Sequence, residues 1–180
     1  IGQVHRAQTK DGHDLAIKIQ YPGVRQSIDS DVDNIALLIK LSRLLPKQLD
    51  IAPLLDQAKQ QLHEEAEYQR EGRFLNRFGA LLADQSAFQV PTLYTQFSTA
   101  DILTMAYLPG QPIESLDTAP QADRNRVISL LIELLLQELF DFQLMQTDPN
   151  FANYQYNEAT GQINLLDFGC LLYTSPSPRD

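Results

Sequence analysis

The sequence is short of the residues that build cross-linked and metal-held scaffolds. It has one cysteine, Cys170, and three histidines, His5, His13 and His63. A single thiol closes no internal disulfide, and the histidines lack zinc-ligand spacing and read as surface residues. Basic charge is scarce too: 14 Lys and Arg stand against 23 Asp and Glu, for a net charge of −9 and an isoelectric point near 4.7. Nucleic-acid binding needs a basic face, so that class is set aside. Membrane contact through a local patch stays open, because steering depends on where charge sits. Long apolar runs are missing. The most apolar stretch, Val127 to Phe140, is interrupted by Glu133, Gln137 and Glu138 and is too short to span a bilayer. There is no secretory signal, no internal repeat and no low-complexity linker. The chain opens on Ile1-Gly2-Gln3-Val4 rather than on Met, which reads as the inside of an element, so native sequence is expected before it.

What remains is a globular composition: 180 residues, 43% apolar and 21% charged, enough for one ordinary domain with a core. Val4 to Thr9 and Asp14 to Gln20 read as strands joined by the turn Lys10-Asp11-Gly12. Ser27 to Leu45 reads as a helix on the spacing of Ile28, Val32, Ile35, Leu38, Ile39 and Leu41, with Asp29, Asp31 and Asp33 in its first half. A second long helix is expected over Pro53 to Leu82, with Gly72 and Gly79 as its weak points. Phe88 to Phe97 and Ile102 to Tyr107 read as strands, Pro109-Gly110 as a turn, and Pro120 to Met145 as a long helix. The loop Gln146 to Asn153 leads into a hairpin, Tyr154 to Tyr156 and Gln162 to Leu166, that ends on Asp167-Phe168-Gly169. The order predicts an α+β, two-lobed domain with a cleft at the Pro-Gly crossover.

Four pieces carry chemistry together. Leu15-Ala16-Ile17-Lys18 fits the V-A-I-K strand that sets a Lys over nucleotide phosphates, although a Lys at a strand end is by itself usually only solvated. Asp148 and Asn153 share one loop at the spacing of a kinase catalytic loop, with the Asp near the acceptor hydroxyl and the Asn on Mg²⁺; alone, Asp148-Pro149 is equally a solvated turn. Asp167-Phe168-Gly169 follows one hairpin later, where kinases place a Mg²⁺-chelating Asp. Gly2-Gln3-Val4 fits the last Gly-x-Val of a phosphate-covering loop, where Gly lets the backbone come close. The order of the four is the strong signal. Phosphoryl transfer is mostly positioning and charge neutralisation around a Mg-nucleotide. Lys18 offers a cation, Asn153 and Asp167 offer oxygen ligands suited to Mg²⁺, and Asp148 would orient the nucleophile.

The catalytic loop is Met145-Gln146-Thr147-Asp148-Pro149-Asn150 where ordinary protein kinases have H-R-D-L-K. With Ile1 to Ala7, Ala16 to Val24, Glu65 to Glu71, Leu103 to Gly110 and Met145 to Tyr154, nearly all of residues 1–169 resembles the UbiB/AarF family, closest to its Coq-eight and AarF-domain kinase branch. The resemblance implies a protein-kinase-like fold with a helical insertion in the N-lobe, cut at both ends. Residues 1–108 would be the N-lobe and 109–169 a partial C-lobe. It implies that Glu71 pairs with Lys18, and that Glu65 and Glu67 fill the E-x-D motif, with Glu67 in place of Asp; a solvated acidic helix face is the plainer alternative. Met105, Ala106, Tyr107 and Leu108 would be the adenine-contacting hinge, with Ala106 where the family often has an acid. Gly2, Val4, Ala16 and Lys18 would line the nucleotide site. The K-x-G-Q helix and the alanine-rich start of the nucleotide loop would lie before Ile1.

The implied cofactors are ATP or ADP and Mg²⁺. The implied activity is that of an ATP-dependent atypical kinase or ATPase supporting ubiquinone biosynthesis. Membrane lipid and ubiquinone-biosynthesis proteins are the implied partners. The implied location is peripheral to the inner membrane on the cytoplasmic side in a bacterium, and mitochondrial in a eukaryote. A catalytically silent nucleotide-binding scaffold or lipid chaperone, and a small-molecule phosphotransferase, are the alternatives. Tyr21-Pro22-Gly23-Val24 and the Glu65 to Glu71 cluster speak against the last. Residues 170–180 match one reading frame of a widely used transposase sequencing adapter and are expected to be non-native. On that reading the native segment has no cysteine, which removes the remaining candidate for a thiol nucleophile.

Overall fold

A computed structural model describes residues 1–42, 51–147 and 150–174. The fold begins with a hairpin of β1 (Gly2–Gln8) and β2 (Asp14–Gln20), in register from Gly2 opposite Gln20 to Gln8 opposite Asp14. Its turn holds Gly12 at φ +92°, which favours a residue without Cβ. On the other side of β2 lies β4 (Ile102–Ala106), antiparallel, with Lys18 opposite Leu103. Lys18 therefore sits on the central strand of a three-stranded sheet, held on both sides.

Among the described residues between β2 and β4 are three α-helices. α1 (Val24–Ser42) buries Ile28, Val32 and Ala36, an i, i+4, i+8 stripe. This face is narrower than expected: Ile35, Leu38 and Leu41 are exposed. The expected end at Leu45 lies outside the described residues. α2 (Ala52–Glu65) starts with Pro53 in its first turn and returns against α1 through Lys59–Asp33 at 2.7 Å and His63–Asp29 at 3.0 Å.

The long helix expected over Pro53 to Leu82 is instead two, because the chain breaks at Ala66 and Glu67 before α3 (Tyr68–Leu81). Neither glycine breaks it. The Gln20 side chain takes up the Ala66 carbonyl, so a tertiary contact satisfies a backbone group that an unbroken helix would satisfy itself. Gly72 serves packing: a Cβ there would lie 3.3 Å from a Leu93 methyl.

Two further boundaries differ from expectation. The strand expected over Phe88 to Phe97 shortens to β3 (Phe88–Gln89), a lone bridge from Leu93 to Met105 and a 3-10 turn at Thr95–Phe97. Pro91 cannot donate to a ladder. The helix expected to reach Met145 ends as α4 (Gln121–Phe140), and Gln143 takes φ +52° before a strand. The intervening segment supplies β5 (Gln111–Pro112) and a 3-10 stretch at Ile113–Thr118, and α4 is followed by β6 (Leu144–Gln146).

The expected hairpin is present as β7 (Tyr154–Asn157) and β8 (Gln162–Leu165), turning through Gly161 at φ +69°. It lies in a sheet of order β3-β8-β7-β5, and β6 pairs with β9 (Leu171–Tyr173). Residues 171–173 thus take regular structure, with Leu171 fully buried. One apolar core joins the two halves. Phe74, Leu75 and Phe78 of α3 meet Leu103 and Met105 of β4, Leu165 of β8 and Phe168. Phe78 and Phe168 stack obliquely at 5.5 Å. Burying a side chain of that size is worth about 1.5–3 kcal/mol, so the position of Asp167-Phe168-Gly169 is set by packing as well as by hydrogen bonds.

Candidate active site

The site forms where β2, α3 and the end of β8 converge. Lys18 Nζ donates to Glu71 Oε1 and, at 3.1 Å, to Asp167 Oδ2. Glu71 is only 3% exposed, because α3 turns it inward beside Phe74 and Leu75. Burial pulls the Lys18 ammonium down, but the Glu71 and Asp167 carboxylates outweigh it and raise its pKa to about 12. Burial pushes Glu71 up, and Lys18 only partly offsets this. Two carboxylates thus share one ammonium at the floor of a cleft, leaving a negative excess there.

Asp167 is fixed from behind. Its Oδ1 accepts the Gly169 N–H at 2.9 Å, and its backbone oxygen accepts from Gln146 Nε2 at 2.7 Å. The Phe168 N–H reaches Glu71 at 3.4 Å. Asn153 closes a 3-10 turn (Phe151–Asn153), and its carbonyl accepts the Leu166 N–H at 3.0 Å, tying the loop to the strand end that bears Asp167.

In front lies a cavity of about 390 Å³. Among its lining residues are Val4, Ala16, Lys18, Met105, Tyr107, Leu108, Asn153 and Asp167. Gly2, Glu65 and Glu71 line an adjoining polar cavity that shares Lys18 and Asp167. A Cβ on Gly2 would run into the Ile19 carbonyl, so strand contact alone already calls for glycine there. Glu67 lines neither cavity; it pairs with Arg73 at 3.2 Å, at half exposure. Asp148 lies outside the described residues. Glu65 accepts from Cys170 Sγ at 3.5 Å, and burial together with this carboxylate pushes the thiol up to about 12, which keeps it protonated at neutral pH.

Several residues of the site were not singled out from the sequence. Arg6 lies over the Tyr107 ring at 4.1 Å and pairs with Asp14 at 3.0 Å. Its alternation with Val4 along β1 was the available signal. Arg70 donates to the Gly169 and Leu171 carbonyls at 3.0 and 2.8 Å and anchors the segment after Asp167; nothing in its local sequence marks it.

Glu138, 2% exposed on α4, accepts the Gln146 N–H at 3.1 Å, and burial raises its pKa to about 7. A folded pKa above the unfolded one favours the fold fully at low pH, and that share is lost as pH rises through about 7. Stability should therefore fall by about 2–3 kcal/mol between pH 4.5 and 8 on this account. Glu138→Gln, which keeps an acceptor, should flatten that slope in urea midpoints measured across the range.

A Lys on a central strand, a helix Glu paired to it and an Asp closing a hairpin above a common cleft define a protein-kinase-like fold. Solved structures agree. Rv3197 of Mycobacterium tuberculosis, solved with erythromycin, is 25% identical with a TM-score of 0.78, covering 97% of this chain and 44% of that one. The Rio2 kinase of Chaetomium thermophilum, in an ADP/Mg²⁺-phosphoaspartate complex, has a TM-score of 0.58 at 14% identity, with 98% and 47% covered, which speaks for the fold alone. More particularly, the chain belongs to the ABC1 atypical kinase-like domain family, whose model matches residues 1–180. It is 44% identical over 169 residues to the mitochondrial atypical kinase COQ8 of Saccharomyces cerevisiae, and 43% identical over 169 residues to mitochondrial COQ8B of Rattus norvegicus. Those matches cover 94% of this chain but 34% and 32% of the relatives, so the chain spans about a third of their length.

Proposed function

We propose that the protein containing this chain binds Mg-ATP in the cleft and acts as an atypical kinase or ATPase in support of ubiquinone biosynthesis. The observation that carries this reading is the Glu71–Lys18–Asp167 constellation at the floor of a cavity large enough for a nucleotide. Val4 and Ala16 would cover the base, and Met105, Tyr107 and Leu108 would border it as the hinge. Lys18, held by Glu71, would meet the phosphates. Asp148 would orient the acceptor hydroxyl.

The donors fit Mg²⁺ brought in by a nucleotide. One carboxylate and one amide, from Asp167 and Asn153, are too few for a closed protein cage but suit an ion that keeps phosphates and water as its other ligands. The negative excess around Lys18 favours such a cation. When bound, Mg²⁺ would neutralise phosphate charge and polarise the group in transfer. Since Lys18 and Asp167 touch directly, they would have to part as phosphates enter between them.

The relatives' names place them in mitochondria. No helix among the described residues is long and apolar enough to cross a membrane. Membrane lipid and ubiquinone-biosynthesis proteins are proposed partners. The test is phosphate release from ATP by the purified full-length protein, with and without Mg²⁺ and with and without anionic phospholipid vesicles. Mg²⁺-dependent release is expected. Nucleotide binding with no release under any of these conditions would favour the silent scaffold.

A further inference from the structure

Gln146 makes three hydrogen bonds, each to a different segment of the site. Its backbone N–H goes to the buried Glu138 carboxylate at 3.1 Å, its Nε2 donates to the Asp167 backbone oxygen at 2.7 Å, and its Oε1 accepts from Tyr154 Oη at 2.9 Å. Tyr154 directly follows Asn153, and Gln146 stands two positions before Asp148 in the chain. The Asp167 carbonyl demands a donor, and the Tyr154 O–H on the other side is met by an acceptor of the same side chain. A neutral amide supplies both, and its orientation is fixed, since the flipped form would set oxygen against the Asp167 carbonyl. Glu138 anchors the backbone from α4, so the amide hangs from a rigid point.

The geometry points to Gln146 as a positioning residue for phosphoryl transfer: it clamps the Asp167 main chain to the Asn153–Tyr154 segment and so sets the spacing of the two proposed metal donors. This rests on the Mg-nucleotide reading above. The alternative is that Gln146 merely stabilises the fold.

The test uses the full-length protein and a fluorescent ATP analogue, titrated in Mg²⁺ and, separately, in EDTA. Gln146→Glu keeps the shape but turns the donor into an oxygen facing a carbonyl. Outer partners of metal ligands typically matter by 10- to 100-fold. Mg²⁺-dependent affinity and turnover should fall by about tenfold or more, while affinity in EDTA stays within about twofold. Ordinary protein kinases have a His at this loop position, and Gln146→His, which restores a ring N–H donor, should recover most of the loss. Parallel losses in Mg²⁺ and EDTA, no loss at all, or no recovery by His would each overturn the positioning role. Wild type and Asp167→Asn are run alongside. If wild type shows no Mg²⁺-dependent binding, the proposed function falls and this inference with it. If wild type does and Asp167→Asn does not, but Gln146→Glu behaves as wild type, only the inference falls.

Discussion

Asp167→Asn in the full-length protein is expected to lose Mg²⁺-dependent ATP turnover by on the order of 10³ with its fold intact. A metal ion's stabilisation of charge in the transition state is worth several kcal/mol, and each 1.36 kcal/mol is about tenfold in rate. Asn has the size of Asp and still offers an oxygen to the Gly169 N–H, so the turn survives. Phe168 remains packed on Phe78. Lys18 loses one of its two partners, but the Asp167 side chain is 42% exposed, and ion pairs so open to water are worth about 0–1 kcal/mol. Thermal midpoints should therefore stay close to wild type while phosphate release collapses. Unchanged release would remove Asp167 from the metal role and with it the enzymatic reading of the cleft.

Much of this site was legible because its residues are fixed by chemistry and order rather than by distant packing. Lys18, Asp167 and Asn153 announce themselves through Ala16-Ile17-Lys18, Asp167-Phe168-Gly169 and the loop before the last hairpin, and the fold brings all three to one cavity. The hairpins were legible for a local reason as well: Gly12 and Gly161 sit at positive φ between alternating strands. Glu71 could be named only through the family resemblance. From periodicity alone it belongs to an acidic helix stretch, and only the packing of α3 on the sheet turns it inward.

Two of the boundary differences share one cause. Helix periodicity runs through Ala66 and Glu67 because the sequence there is helix-compatible; in the fold the Ala66 carbonyl goes instead to Gln20, 46 residues earlier in the chain. Leu144 and Met145 read as the end of the helix and Gln146 as the start of a loop because their strand partner, Leu171–Tyr173, lies far along the sequence. Local propensity is a weak prior wherever a remote backbone group competes for the same hydrogen bonds. Gln146 stands out in the sequence as a departure from the ordinary kinase loop and as part of the Met145 to Tyr154 stretch that carries the resemblance; its hydrogen-bond partners on α4, after β8 and on β7 follow no local pattern.

The second large effect concerns stability and function pulling apart at Lys18 and Glu71. Glu71→Leu leaves the Lys18 ammonium, 13% exposed, with only the half-open Asp167 as partner, and Lys18→Met leaves a Glu71 carboxylate that is 4% exposed with no cation. Breaking a buried pair by removing one partner costs about 3–5 kcal/mol, whereas replacing both by apolar groups of similar volume is often neutral. Against a total stability of about 5–15 kcal/mol, either single change should shift the urea midpoint strongly, and Lys18→Met with Glu71→Leu should recover most of the loss. Because the Lys18 pKa is raised to about 12, its contribution is fully present below pH 10.5 and is lost only as pH rises through 12. The cycle should thus give the same interaction energy at pH 6 and pH 9 as far as Lys18 is concerned. Turnover should be lost in all three variants: without Lys18 no cation meets the phosphates, and without Glu71 that cation is no longer held in place. A double variant no more stable than the singles would mean that the pair is not the buried couple described, and a double variant that still hydrolyses ATP would mean that the phosphates are held elsewhere.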